Sequence, residues 1–311
     1  MTILVAGASG LAGSAIVREL NRIGKPVVGI SSKDVDLLDR EATFKYIGSL
    51  KPKVIIDAAA KVGGISANNS YPVEFLSKNI QIQTNLMDAA HSIKVEKFVF
   101  LASSCIYPKN CLQPIKEEYV LTGALEPTNS AYAIAKLAGI ELIKAYRKEF
   151  GHSWVSVMPT NLYGPNDNFD LETSHVFPAL IRKFIEARES NANSVELWGT
   201  GKSRREFLHV DDLAKAIIVC LDKYDSDQQI NIGTGIDLSI AELAEKIAEK
   251  VNYTGDIDWD TAREDGTSQK VLDIQKITNL GWKPTISLEQ GIKLVVEWYL
   301  ENKINRRNKP I

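Results

Sequence analysis

Short apolar runs recur along the first half of this chain, each followed by a segment with helical spacing. Ile3-Leu4-Val5-Ala6, Pro26 to Ile30, Lys53 to Ala58, Lys97 to Leu101 and Trp154 to Met158 read as strands. Ala12 to Ile23, Phe75 to His91 and Ala131 to Phe150 read as helices between them. Strands that are apolar throughout, rather than alternating, are covered on both faces, which is what a parallel sheet with helical crossovers provides. Right-handed crossovers then wind such a chain into a doubly wound α/β fold of the Rossmann type.

The rhythm changes after Pro159. Asn161 to Ser174 is rich in Gly, Pro, Asn and Asp and predicts a long loop. Val195 to Trp198 and Gln229 to Ile232 predict short strands. Asp211-Asp212 reads as the cap of an apolar helix over Leu213 to Leu221, and Ser239 as the cap of a helix reaching Val251. The expected division is a dinucleotide-binding domain over 1–160, its sheet completed by later segments within 205–235. A smaller C-terminal α/β substrate-binding domain is expected mainly from 161–311.

The first strand runs into Gly7-Ala8-Ser9-Gly10-Leu11-Ala12-Gly13, a G-x-x-G-x-x-G turn that opens the first helix. Glycines there let the backbone approach a pyrophosphate, and the helix N-terminus offers unpaired N–H groups with a partial positive charge. In this strand–turn–helix setting the motif predicts a dinucleotide site. The second strand ends Ser31-Ser32-Lys33, without the acidic residue that an NAD site usually sets against the ribose 2′-hydroxyl. Ser31 or Ser32 would bond a 2′-phosphate and Lys33 would attract it, so NADP is favoured over NAD. Asp36 and Leu37 are expected to border the adenine.

The fourth strand ends in Leu101-Ala102-Ser103-Ser104-Cys105, and a later helix opens on Tyr132 and carries Lys136 one turn on. Residues four apart share a helix face. A nearby ammonium lowers a phenol's pKa, so the pair can exchange a proton with a carbonyl or alcohol oxygen that a strand-end serine also bonds. By residue type alone, a cysteine just past a strand is most often a small buried apolar residue, and Cys111 and Cys220 keep that reading. His209 reads as structural, and His91 and His152 as surface residues.

Composition excludes several classes. Thirty-seven basic and thirty-nine acidic residues give a net charge of −2, a balance that calls for neither nucleic acid nor an anionic membrane as partner. No run approaches the roughly 18 apolar residues of a membrane span. Three cysteines without a CxxC and four histidines at unrelated spacings predict neither a disulfide framework nor a metal site. The first residues enter a strand with no leader-like pattern, so a reducing cytoplasm is expected.

The sequence resembles the extended short-chain dehydrogenase/reductases, from Ile3 to about Trp298. The likeness rests on the glycine turn and on Ala58-Ala59-Ala60-Lys61-Val62-Gly63-Gly64-Ile65. It continues through Ser103-Ser104-Cys105-Ile106-Tyr107-Pro108, Leu125 to Asn129 leading to Tyr132 and Lys136, and Met158 to Pro165. Ser174-His175-Val176 and Arg205 to Asp212 complete it. Within the family it is nearest to members that epimerise and then reduce GDP-4-keto-6-deoxy-D-mannose with NADPH.

The resemblance implies catalytic roles for Ser103, Tyr132 and Lys136, with Cys105 and His175 as an acid/base pair. It implies a cofactor site that also takes in Pro159, Thr160, Asn161, Leu162 and His175. Lys183, Trp198, Arg205 and Asp265 are implied to line the GDP-sugar site. Ser9 and Ser32 stand where some members carry arginines on the 2′-phosphate. Members dimerise through a helix pair like Phe75–His91 and Ala131–Phe150, so a homodimer is expected. Two other readings stand beside this one. The first is a relative that handles another GDP-4-keto-deoxysugar, such as one forming GDP-colitose, where a single centre is inverted. The second is a catalytically silent dinucleotide sensor, which has no need of the intact Ser103, Tyr132 and Lys136.

Overall fold

The structure, a computed structural model, describes residues 2–263 and 265–307. The chain begins β1 (Ile3–Ala6), α1 (Leu11–Arg22), β2 (Val27–Ile30), α2 (Arg40–Leu50), β3 (Val54–Asp57), α3 (Ile65–Ser70), α4 (Pro72–Ser92), β4 (Lys97–Leu101), α5 (Ser130–Phe150) and β5 (Val155–Pro159). It continues β6 (Asn161–Tyr163), α6 (Val176–Ser190), β7 (Ser194–Trp198), β8 (Arg204–His209), α7 (Val210–Lys223), β9 (Ile230–Ile232), β10 (Asp237–Ser239), α8 (Ile240–Lys250), β11 (Asp256–Asp260), β12 (Gln269–Lys270), α9 (Gln275–Asn279) and α10 (Leu288–Arg307).

Six parallel strands order as β2-β1-β3-β4-β5-β9, the doubly wound arrangement that the apolar runs predict. Alternate residues feed two cores. Leu4, Ile55, Phe98 and Phe100 pack with Leu86, Ile140 and Trp154 on the α4/α5 side. Val5, Ile56, Val99 and Val157 pack with Ile16, Leu20, Leu213 and Ile217 on the α1/α7 side. Each such fully buried aliphatic chain contributes about 1.5–3 kcal/mol. A third core joins α6, α8 and α10 through Phe177, Phe184, Leu243 and Ile292, against Leu197 of β7 and Phe207 of β8. Among the described residues no helix is long and apolar enough to cross a membrane.

The structure departs from the sequence expectations after Pro159. Asn161–Tyr163, within the expected loop, is a strand paired in parallel with β8. The pattern hides β8 because it opens on two arginines and a glutamate. Yet Glu206 is fully buried, and its carboxylate accepts from the backbone N–H groups of Thr234, Gly235 and Leu272. Asp211 and Asp212 do not cap α7. His209 does, its Nδ1 accepting from Asp211 N at 3.2 Å, while buried Asp212 receives Thr285 and Ile286. His91 and His152 are not isolated surface residues. Their rings meet at 2.8 Å, and His152 stacks on Trp154. Ser239 caps α8 in a full capping box, as expected.

Candidate active site

A cavity of about 890 Å³ opens at the carboxyl ends of β1 to β5. This is where the strand order reverses and where doubly wound sheets bind ligands. Its near wall is made by the strand ends, its far wall by residues from 161–183, β7, β8 and 259–270.

The glycine turn forms one end. Gly7 has φ +76°, and a Cβ there would lie 2.7 Å from the Ala58 carbonyl oxygen. A Cβ on Gly13 would lie 2.2 Å from the Gly7 carbonyl oxygen. So α1 can seat against the turn only through glycine. Gly10 is the N-cap of α1 with no side-chain cap, and Gly10, Leu11 and Ala12 line the cavity. The result is a helix N-terminus open toward a large cavity, which fits a dinucleotide pyrophosphate. Gly7 and Ser9 also line it, whereas Ala8 and Gly13 shape the turn from behind.

At the ribose end Ser31, Ser32, Asp36 and Leu37 line the cavity. Asp34 takes both the N–H and the hydroxyl of Ser31 at 2.8 Å, closing a tight turn. Lys33, expected to attract a 2′-phosphate, is exposed at the apex of that turn and outside the lining. Ser32 is left as the strand-end hydroxyl without that tie. Leu101, Ala102, Ser104, Pro159, Thr160, Asn161 and Leu162 all reach the lining.

Ser103, Cys105, Tyr132, Lys136 and His175 face the same space. Lys136 is buried, its Nζ donating to the Leu101 carbonyl at 2.9 Å and lying 6.0 Å from the Tyr132 ring centroid. Burial lowers its pKa to about 8, while the charge of Asp57 opposes that. The Tyr132 phenol is pushed up by burial first and by Cys105 next, while a bond from Ser103 works the other way. The expected lowering by Lys136 is not found in the free protein, where burial of the phenol dominates. Tyr132 holds its proton at neutral pH.

Cys105 sits on the turn after β4, and its Sγ receives Asn129 Nδ2 at 3.6 Å. His175 is the residue before α6 and makes no side-chain cap, so its ring is left for the cavity, where partial loss of solvent lowers its pKa.

On the far wall Lys183, Trp198 and Arg205 reach the lining. Arg205 is held by the Arg204 carbonyl at 2.8 Å and lies in the field of Cys105, Glu126 and Asp265. Trp198 is 52% exposed and carries the guanidinium of Arg263 4.5 Å above its ring. Asp265 does not line the cavity. Its carboxylate takes the N–H and hydroxyl of Thr200 at 2.9 and 2.5 Å, pinning the turn after Trp198.

Pattern reading of single residues passes over Asn68, Asn129, Asp167 and Ser174. Each lines the cavity and holds a buried oxygen without a hydrogen-bond partner. Such atoms are costly unless a ligand completes them, so they fit a polar, hydroxyl-rich molecule. Burial raises the Asp167 carboxyl to about 7. The one signal in the sequence was that Asn129 and Ser174 fall inside the segments that carry the family resemblance. Among the described residues no group of three or more His, Cys, Asp or Glu is placed to hold a metal ion.

The profile of the NAD dependent epimerase/dehydratase family matches residues 3–233. The chain belongs to that family. A member from Arabidopsis thaliana, GDP-L-fucose synthase 1, is 50% identical over 98% of this chain and 94% of its own. GDP-L-fucose synthase of Escherichia coli (strain K12) is 46% identical over 97% of each chain. A crystal structure of a GDP-L-fucose synthetase from Naegleria fowleri bound to NADP superposes with a TM-score of 0.89. It is 31% identical over 97% of this chain and 95% of that one. The family match takes in the glycine turn and the segments that carry Ser103, Tyr132 and Lys136.

Proposed function

We propose that this chain epimerises GDP-4-keto-6-deoxy-D-mannose at C3 and C5 and reduces it at C4, yielding GDP-L-fucose. The observation that carries the reading is the placement of Cys105 and His175 on the same cavity as Ser103, Tyr132 and Lys136. A reductase alone has no use for a thiol and an imidazole beside its ketone. The names of relatives at 46–50% identity over nearly the whole chain support it.

The residues act as follows. The 4-keto group makes the C3 and C5 protons acidic. One member of the Cys105/His175 pair removes a proton from one face, and the other returns one from the opposite face, so each inversion conserves atoms and charge. Ser103 and Tyr132 bond the C4 oxygen and stabilise its enolate as charge develops there. Asn129 fixes the direction of the Cys105 sulfur.

NADPH, held by the open N-terminus of α1, Ser32 and the 159–162 segment, supplies the hydride for C4 when bound. Tyr132 gives its proton to the resulting alkoxide, a stronger base than a phenolate, and regains it from solvent. Lys136 offsets the transient phenolate charge. Arg205 and Lys183 face the diphosphate, Trp198 stacks the guanine, and Asp265 acts through Thr200 to hold that wall. In this reading the sheet layer binds cofactor and the segments after 160 bind the GDP-sugar.

Exposed Val73, Ile134 and Phe150 on α4 and α5 favour a homodimer through that helix pair, and light scattering that shows a monomer at micromolar concentration would contradict it. Three free thiols suit a reducing cytoplasm. The deciding experiment is incubation with GDP-4-keto-6-deoxymannose and NADPH in heavy water. Deuterium at both C3 and C5 with NADPH consumption is expected. Deuterium at neither carbon overturns the epimerase half, and unconsumed NADPH overturns the reductase half.

A further inference from the structure

One buried ionisable group has no place in this mechanism. Asp57 closes β3, in an otherwise apolar strand, and is fully buried. Its Oδ1 accepts from Ala59 N at 3.0 Å, and its Oδ2 has no hydrogen-bond partner. An unpaired carboxylate in such a place is costly unless a charge compensates it.

The sheet register shows where that charge lies. Asp57 is the in-register neighbour of Phe100 on β4. The Nζ of Lys136 sits 4.6 Å above the Phe100 ring and bonds the carbonyl of the next residue, Leu101. The ammonium has three N–H groups, and Leu101 occupies one. Among the described residues, the other elements packed here present neutral groups. β1 presents Ala6 beside Asp57, and α4 presents Gln83, whose Nε2 bonds the carbonyl of Ala135 and whose Oε1 is also unpartnered. Among the described residues, Lys136 is the charge that acts on Asp57, and Asp57 the charge that acts on Lys136.

We propose that Asp57 is a positioning residue for the reaction: a buried counter-charge that keeps Lys136 protonated behind Tyr132. The proposal rests on the reading of Lys136 given above. Burial raises the Asp57 carboxyl to about 6 and lowers the Lys136 amine to about 8. Both charges are therefore present together between those values, and the pair loses one charge on either side.

Asp57→Asn tests this by two independent measurements. The first is the pH profile of kcat/KM for ketosugar reduction, which reports the free enzyme. Without its carboxylate Lys136 loses its proton sooner, so the alkaline limb moves down by about one pH unit, with about threefold lower activity at pH 7.5 and little change at pH 6.

The second is the melting temperature of the ligand-free protein against pH. A carboxyl whose folded pKa is raised contributes stability that is complete below its unfolded value near 4 and is lost as pH rises through 6. Asparagine has no such loss, so the variant gains about 5 °C on the wild type between pH 4 and pH 7. A purely structural asparagine effect would shift both curves evenly. A profile within about 0.2 pH unit of wild type, or an unchanged melting difference across that range, overturns the proposal.

Should Asp57→Asn fail to fold, Lys136→Met reads the same coupling. Loss of the ammonium carries the Asp57-linked fall in melting temperature to higher pH by about one unit, and no movement refutes it. If the wild-type protein does not turn over the ketosugar, the functional reading fails while the melting curves still judge Asp57.

Discussion

The two walls of the cavity are built on different principles. The near wall is backbone. Gly7, Gly13, the strand ends and the first turn of α5 are fixed by sheet register and by contacts too close for a side chain. The far wall is a set of side-chain ties between segments distant in sequence, such as Asp265 to Thr200 and Thr267 to Glu126. Rigid positioning suits a reaction that needs a hydride and a proton delivered to one carbonyl. A wall of ties suits recognition of a large, polar, charged ligand. Variants on the near wall should therefore change turnover, and variants on the far wall should change apparent affinity.

The largest expected effect is at Tyr132. Tyr132→Phe keeps the ring that packs edge-on against Phe75 at 6.3 Å and removes the acidic proton. Reduction should fall by about 10³-fold or more, with NADPH affinity, followed by fluorescence titration, unchanged within about twofold. A variant that keeps even a tenth of wild-type reduction would remove the near wall's claim to the chemistry. Arg205→Ala comes next, on the other wall. If its guanidinium faces the diphosphate as proposed, the loss should raise KM for the ketosugar by about 10²-fold and leave kcat within a few-fold. A fall in kcat with KM unchanged would show that the far wall also shapes the transition state.

Much of the near wall was legible in the sequence, and the far wall much less so. Fully apolar runs, a glycine turn and a Tyr–Lys pair at helical spacing are local signals with local physical causes, so pattern reading finds them. β8 was hidden because its buried Glu206 is satisfied by partners 28 to 66 residues away, which no window in the sequence contains. Asp265 was given a place on the GDP-sugar site, and the structure sets it one step behind, on Thr200. Lys33 was given the 2′-phosphate, and the turn closed by Asp34 leaves it outside. In both cases the residue type was suited to the task, and only the local backbone reveals where it stands. Asp57 shows the reverse. Its place at the end of an apolar strand was visible, but its partner comes from α5, above the neighbouring strand.

Cys105 tests whether the two walls cooperate. The thiol stands on the near wall, while His175 comes from the far one. Cys105→Ser keeps size and the Asn129 contact but removes the more acidic group. Deuterium wash-in at C3 and C5 should slow about 10- to 100-fold more than hydride transfer measured on an already epimerised ketosugar. Equal losses in the two steps would mean that Cys105 only supports the position of Tyr132, as it packs against the small cluster of Ala67, Phe75 and Tyr132.

Trp198 should give the smallest change. Its ring is half exposed at the outer end of the cavity, with Arg263 on it at 4.5 Å and Lys183 Nζ at 5.9 Å from its centroid. Two cations over the ring already occupy part of the stacking surface, and an exposed cation–π contact is worth only about 0.5–1 kcal/mol. A base that stacks here therefore displaces an existing contact and gains the difference. Trp198→Ala should raise KM for the GDP-sugar by about three- to tenfold, with kcat and deuterium wash-in unaltered. Trp198→Phe should recover most of that loss, because a flat face is what the base requires. If Trp198→Ala instead lowered kcat, the ring would have to organise Arg205 or Lys183 for the chemical step, and the separation between a catalysing wall and a recognising wall would fail at its outermost residue.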